Sequence, residues 1–156
     1  MAKINEPTTV VTQRDREVSR QLAQEAAEVA SRQMQERNTI VKAKGLLAIL
    51  AAIQPNAPGY GPVYTLQRLG QRSQVTADEI ERARRCVNDC VGNPPRPPTV
   101  AECLEALAPL ARMPRDYLNP NKQAVQFAFP DGNGKSVEVT IEQIEAADRL
   151  RAAGGL

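Results

Sequence analysis

The sequence contains no histidine and no tryptophan, and aromatic residues make up only 3% of it. Histidine is the commonest general base and a common zinc ligand, so its absence excludes Ser-His and Cys-His nucleophilic arrangements and most zinc sites. A core with so few aromatics must be built from Leu, Ile, Val and Ala, which favours packed helices over a large sheet. We therefore expect a mainly α protein without catalytic residues, metal ligands or cofactors.

Cysteines are few and odd in number, three in all. This count argues against a disulfide framework and indicates a reducing compartment. Cys86 and Cys90 are four residues apart and are predicted to share a helix face, but with Cys103 they supply only three metal ligands. Buried structural thiols are therefore favoured over a metal site.

Long apolar runs are also missing. No run approaches the roughly 18 residues that a membrane span needs, and the N-terminus lacks the pattern of a secretory signal. We expect a cytoplasmic protein without membrane partners.

Net charge is small, because 20 Lys and Arg face 18 Asp and Glu. A charge of +2 does not by itself indicate nucleic-acid or membrane binding. The best basic patch is the cluster of Arg82, Arg84 and Arg85, with Arg96 beyond it. Arg82, Arg85 and Arg96 are candidate contacts for phosphate or an acidic partner. The favoured alternative is a solvated face with local ion pairs to Glu79, Glu81 and Asp89.

The N-terminal segment, residues 1–38, begins with a polar arm over residues 1–11 that we expect to be flexible or ordered by a partner. From Thr12 the pattern becomes helical and Ala-rich, with four larger apolar residues that form the candidate oligomerisation face: Val18, Leu22, Val29 and Met34. A core helix follows and ends before Pro55. Asn38-Thr39 either separates the two helices or is read through, in which case the N-terminal half would project and require a partner.

Residues 39–118 form a predicted helical domain. After the loop 55–62, Pro62 is expected to open a short helix that stops at Gly70. Thr76 and Glu79 form a capping box for a helix that ends at Gly92, and Thr99 and Glu102 form another. Between these two helices the segment 94–98, with four prolines, is predicted to run extended as a spacer, the alternative being a polyproline ligand for another protein.

The C-terminal segment 119–156 changes character. Strand-like alternation on both sides of the sequence DGNGK, residues 131–135, predicts a β-hairpin, and this interpretation is favoured over a phosphate-binding loop. Thr140 and Gln143 form a third capping box, which opens a last helix. The predicted fold is a long N-terminal helix, a small helical bundle and a C-terminal β-hairpin plus helix.

Residues 44–110 resemble the small helical domain of bacteriophage replicative-helicase inhibitors and loaders. The matching sequences are GLLAILAAIQP, VYTLQRLG, VTADEIERARRCV and PPTVAECLEAL. The resemblance implies a non-enzymatic protein that binds a replicative helicase or another replisome component in the host cytoplasm, with weak DNA contact as a further implication.

Two functions from different classes follow as expectations. The first is a phage-type DNA-replication accessory factor that acts on a helicase. The alternative is a virion or assembly protein, such as a scaffold, a head-to-tail component or a packaging factor, which oligomerises through its N-terminal helix. Both predict a protein partner, either the helicase or further copies of the chain, and neither predicts an enzyme.

Overall fold

The computed structural model describes residues 12–55 and 62–156, in which the chain is mostly helical, as the composition predicted, and also contains two small antiparallel hairpins. The elements in chain order are α1 (Gln13–Ala51), β1 (Pro62–Arg68), β2 (Gln71–Thr76), α2 (Ala77–Val87), α3 (Val100–Ala106), α4 (Ala108–Ala111), β3 (Val125–Pro130), β4 (Ser136–Thr140) and α5 (Ile141–Ala153). By its contacts the chain divides into two units, one ending at Arg37 and one running from Asn38 to Leu156. The predicted arm over residues 1–11 and most of the predicted loop 55–62 lie outside the described residues.

Helix α1 is a single helix of 39 residues that continues through Asn38-Thr39, which settles the alternative left open by the sequence. Its start is capped by Thr12. The Thr12 hydroxyl accepts a hydrogen bond from the backbone N–H of Asp15 at 3.2 Å, and the Asp15 carboxylate accepts one from the backbone N–H of Thr12 at 3.3 Å. This reciprocal pair satisfies donors that a helix N-terminus leaves unpaired.

The described part of the first unit is the N-terminal part of α1, and every residue from 12 to 37 is exposed. The second unit contains the hydrophobic core. Helix α1 contributes Ala43, Leu47 and Leu50 to this core, all completely buried, because the spacing of four and three residues places them on one side of the helix.

Residues 62–76 form a β-hairpin where the sequence predicted a short helix from Pro62 to Gly70, and that prediction is wrong. Val63, Tyr64 and Thr65 are β-branched or aromatic residues, which favour strands. Leu69 and Gly70 have φ values of 47° and 77°, the conformation of a two-residue hairpin turn. Gly70 therefore serves as a turn residue between β1 and β2 and does not end a helix.

The capping boxes at Thr76 and Thr140 are both confirmed, and each opens its predicted helix. Thr99 also caps its helix, because its hydroxyl accepts from the backbone N–H of Glu102 at 3.2 Å. The reciprocal half of that box is replaced by a bond in which the Thr99 hydroxyl donates to the Glu102 carboxylate. The last helix ends at Ala153, with Gly154 as its C-cap.

Helix α2 ends at Val87, earlier than the predicted stop at Gly92. The chain leaves the helix because Asp89 adopts a left-handed conformation, with φ of 54°. Cys90 therefore lies outside the helix and is exposed, so the prediction that it shares a helix face with Cys86 is wrong.

The proline segment is only partly extended. Pro94 and Pro95 lie in a turn that is closed by backbone hydrogen bonds between Val91 and Arg96, at 3.0 and 3.1 Å. The extended spacer is limited to the residues after this turn, where Pro98 is buried. The structural role of the segment is therefore to reverse the chain between α2 and α3.

The C-terminal ββα arrangement is confirmed, and it belongs to the second unit. Asp131 organises the turn of its hairpin, because its carboxylate accepts from the backbone N–H groups of Asn133 and Lys135 at 2.7 and 3.0 Å. The sequence DGNGK thus forms a hairpin turn between β3 and β4.

The end of α1 connects the elements of the second unit. Arg84, from α2, donates from Nε to the carbonyl of Ala51 and from Nη2 to that of Ile53, each at 2.9 Å. Gln54 donates its backbone N–H to Pro130 at 2.8 Å, and its carbonyl accepts from the Tyr64 hydroxyl. Both hairpins and α2 therefore converge on the C-terminus of α1.

Candidate functional site

Six charged side chains surround a groove beside α2 and α3, with a volume of about 500 Å³. We call it the α2–α3 groove. Its charged lining residues are Asp78, Glu81, Arg82, Arg85, Glu102 and Glu105. Cys86, Val91 and Gly92 complete the lining. Helix periodicity places Asp78, Arg82 and Arg85 on one side of α2, because they are spaced four and three residues apart.

Two of the three predicted arginines, Arg82 and Arg85, line this groove, and the third is at its edge. Arg96 pairs with Glu102 at 2.8 Å between Nη1 and Oε1, and it also donates to the carbonyl of Pro97 at 3.1 Å. The structure thus brings the three residues to one region, although the end of α2 and the proline turn separate Arg96 from the other two.

The electrostatics of the groove are mixed. Arg85 pairs with Glu81 one helical turn away at 3.4 Å, in a pair where both side chains are exposed. The hydrogen bond from Arg96 is the main reason that the pKa of Glu102 lies below its usual value. Carboxylates outnumber arginines in and around the groove, so its charge does not favour a polyanion such as nucleic acid.

Two thiols meet at the groove. Cys86 lines it and is 1% exposed, while Cys103 from α3 is completely buried. The Cys86 Sγ donates to the backbone carbonyl of Glu102, the residue before Cys103, at 4.0 Å. A hydrogen bond between the two thiols shifts the pKa of both. The sequence could not reveal this pair, because residues 86 and 103 belong to different helices separated by the proline turn.

The two thiols polarise each other. The hydrogen bond from Cys103 lowers the pKa of Cys86, against the opposing effects of burial and of Glu102. The same contact, together with burial, raises the pKa of Cys103. The two shifts favour a thiolate at Cys86 over a thiolate at Cys103.

The described residues include no group of three or more Cys, Asp or Glu side chains arranged to hold a metal ion. Cys90, the third cysteine, is exposed and its Sγ donates to the carbonyl of Asn88 at 3.2 Å. It contributes nothing to the Cys86–Cys103 pair.

The candidate oligomerisation face lies in the first unit and is exposed along its whole length. The exposed fractions are 48% for Val18, 61% for Leu22, 48% for Val29 and 66% for Met34. At 100° per residue, Val18, Leu22 and Val29 lie within about 40° of one another around the helix, whereas Met34 lies about 120° from Leu22. The apolar face is therefore broad, with alanines between its two edges.

Other exposed apolar residues were not predicted. Tyr117 is 63% and Leu118 is 88% exposed, both in the loop that follows α4. The Arg115 guanidinium lies 5.3 Å from the centre of the Tyr117 ring. No sequence periodicity marks this loop, so no pattern could have identified it.

Comparison with known protein families, with curated proteins and with solved structures finds no match to this chain. Among the helices of residues 12–55 and 62–156, none has both the length and the apolar character required to cross a membrane.

Proposed function

We propose that this protein is a non-enzymatic interaction protein that self-associates through the N-terminal part of α1, as expected of an assembly or structural component. The observation that carries the proposal is the complete exposure of residues 12–37, with Leu22 and Met34 more than 60% exposed. A helix that buries nothing within its own unit gains little stability from its sequence alone. Packing of its apolar face on another helix supplies that stability.

A second copy of the same helix fits this face well. Ala23, Ala26 and Ala30 lie in its middle together with Ser19 and Gln33, and the small alanine and serine side chains allow two helix backbones to approach closely, while larger apolar residues lie at its edges. The opposite side of the helix carries Arg20, Gln24 and Ser31, polar side chains that suit solvent in a paired helix. The segment contains both arginines and glutamates, so antiparallel or parallel pairing leaves no large excess of one charge.

The proposal is tested by measuring the solution mass of the full chain by light scattering. Leu22→Glu places a charge at the centre of the Val18–Val29 edge, and we expect it to convert an oligomer into a monomer. Gln24→Glu is the matched control, because it adds the same charge about 160° away around the helix and should leave the mass unchanged. A monomeric wild-type chain at micromolar concentration, or equal effects of the two variants, would contradict self-association.

A second candidate is the phage-type replication accessory factor that acts on a replicative helicase. It is supported by the resemblance of residues 44–110, within which helices begin after Thr76 and Thr99 as the pattern implies, although the matching sequence VYTLQRLG forms strand β1 and its turn and not a helix. Here the occupant of the exposed face is the helicase. A wild-type chain that stays monomeric alone and forms a complex only after addition of a replicative helicase would favour this candidate over self-association.

For either candidate we propose a reducing compartment, the host cytoplasm for a phage-encoded chain. What supports this is that all three thiols are free, including two that are in contact with each other.

A further inference from the structure

We infer that Cys86 and Cys103 form a thiol–disulfide exchange site, which a small disulfide such as oxidised glutathione converts into a bond between α2 and α3. The inference does not depend on the proposed function, since both cysteines lie in the second unit and the self-association face lies in the first.

The geometry supplies the pair. Cys86 is on the last turn of α2 and Cys103 is in the middle of α3, and both side chains are buried in the same hydrophobic core. The Cys86 Sγ is 4.0 Å from the carbonyl oxygen of Glu102, the residue before Cys103, so the cross-link joins two helices that already pack on each other. A disulfide forms only when the two Cβ atoms come close, and formation of the bond tests how near α2 and α3 bring them.

Access is provided by the α2–α3 groove, and it is unequal for the two thiols. Cys86 lines the groove, where it is only 1% exposed, whereas Cys103 is completely buried and does not line the groove. Arg82 and Arg85 line the same groove together with four carboxylates, so the charge of the groove does not select for an anionic disulfide. Cys86 is therefore the thiol that an incoming reagent meets first.

The pKa shifts of the two thiols agree with Cys86 as the thiol that reacts first. Exchange requires a thiolate as the nucleophile, and the hydrogen bond donated by Cys103 favours the thiolate of Cys86. Cys103 stays protonated and serves as the resolving thiol.

The reaction balances in two exchanges. The Cys86 thiolate attacks one sulfur of the small disulfide, forms a mixed disulfide and releases one thiolate. Cys103 then loses its proton and attacks the Cys86 sulfur, which forms the Cys86–Cys103 bond and releases the second small thiol. Two protein thiols are oxidised by two electrons in total, and the small disulfide is reduced to two thiols.

The experiment uses the wild-type chain, incubated with oxidised glutathione and then alkylated. Trypsin leaves all three cysteines in one peptide, because cleavage follows Arg85 and Arg112 while Arg96 precedes a proline. Additional cleavage before Asp89 and after Glu102 separates them, so that mass spectrometry distinguishes every pairing. We expect the peptides of Cys86 and Cys103 to be linked, with a loss of two hydrogens, and Cys90 to be glutathionylated or alkylated.

Three variants identify the roles. Cys90→Ser should form the same cross-link at an unchanged rate. Cys103→Ser should accumulate glutathione on Cys86, because nothing resolves the mixed disulfide. In Cys86→Ser, glutathione should add to Cys103 at least about tenfold more slowly than it adds to Cys86 in Cys103→Ser. Circular dichroism of each variant establishes that it is folded. Wild type and Cys90→Ser keep both buried thiols, so their result does not depend on a substitution in the core.

A second measurement checks that the bond forms in the native geometry. The cross-link closes a loop of fewer than 20 residues and should raise the thermal midpoint of Cys90→Ser by roughly 5–10 °C. The inference is overturned if glutathione is found on Cys90 alone, if Cys86 and Cys103 react only in denaturant, or if the oxidised chain melts no higher than the reduced one.

Discussion

Replacing Arg84 by alanine should destabilise the second unit far more than the same change at the neighbouring Arg85. Arg84 is half-buried and spans two carbonyl groups at the end of α1, Ala51 and Ile53, with both distances at 2.9 Å. Arg85 is exposed and makes only a 3.4 Å pair with Glu81. Both residues lie on α2 and both changes remove one positive charge, so Arg85→Ala is a matched control.

The magnitude follows from the two bonds. A hydrogen bond to a charged group contributes about 1.5–3 kcal/mol, and partial exposure places both bonds of Arg84 toward the low end of that range. A cation at a helix C-terminus adds about 0.3–1 kcal/mol. We expect Arg84→Ala to lower the free energy of unfolding by about 3 kcal/mol, and Arg85→Ala by about 0.5 kcal/mol, the usual value for an exposed pair.

Urea denaturation monitored by circular dichroism measures the difference. With a slope of about 2 kcal/mol/M, the midpoint of Arg84→Ala should fall by about 1.5 M and that of Arg85→Ala by about 0.3 M, with unchanged slopes. Arg84→Lys should lie between them, because one ammonium group cannot span two carbonyls in the fixed geometry of a guanidinium. Equal losses for Arg84→Ala and Arg85→Ala would refute the claim that Arg84 joins α2 to the end of α1.

Three further changes test separate features. The pKa of Glu102 is lowered mainly by Arg96. The pair therefore stabilises the fold at a pH above the unfolded pKa of the carboxyl group, and this stabilisation is lost as the pH falls through the lower folded pKa. Glu102→Gln should reduce the pH dependence of the melting temperature in acid. Gly70→Ala should cost about 1 kcal/mol in thermal unfolding, because φ is 77° there, and an unchanged midpoint would contradict the turn. Thr76→Ala should cost about 1 kcal/mol through the lost cap of α2, whereas Thr76→Ser, measured in the same way, should retain most of it.

The role of Arg96 is clearer in the structure than in the sequence. Its position between two pairs of prolines made it a candidate contact for a partner. In the fold it pairs with Glu102 and closes the turn with Val91, so it holds the start of α3 beside the end of α2. Its local role is structural, and a partner that contacts Arg96 must compete with the Glu102 carboxylate.

The self-association face and the thiol pair lie in different units of the chain. Variants at Leu22 and at Cys86 can therefore be made independently, and each test leaves the other feature intact. A double variant serves as a check, because changes at distant sites with no shared contacts should have additive effects.

The sequence alone determined the features that depend on near neighbours along the chain. Threonine followed three residues later by glutamate or glutamine predicted the starts of α2 and α5, because a cap needs only one helical turn. The C-terminal hairpin was predicted for the same reason, since its alternating strands meet across a five-residue turn. The positions of the apolar residues around the N-terminal helix follow from their spacing along that single helix.

Tertiary structure decided the remaining features, because they depend on contacts between residues that lie in different elements, and spacing along the chain does not constrain those contacts. The segment 62–70 carries residues compatible with a short helix, and it becomes a strand and turn because β2 supplies the hydrogen-bonding partner and Leu69 accepts a left-handed conformation. Cys86 meets Cys103 only because the proline turn reverses the chain between α2 and α3. Arg84 is distinguished from its neighbours only by the two carbonyls that α1 places within its reach, and no property of its own helix reveals them.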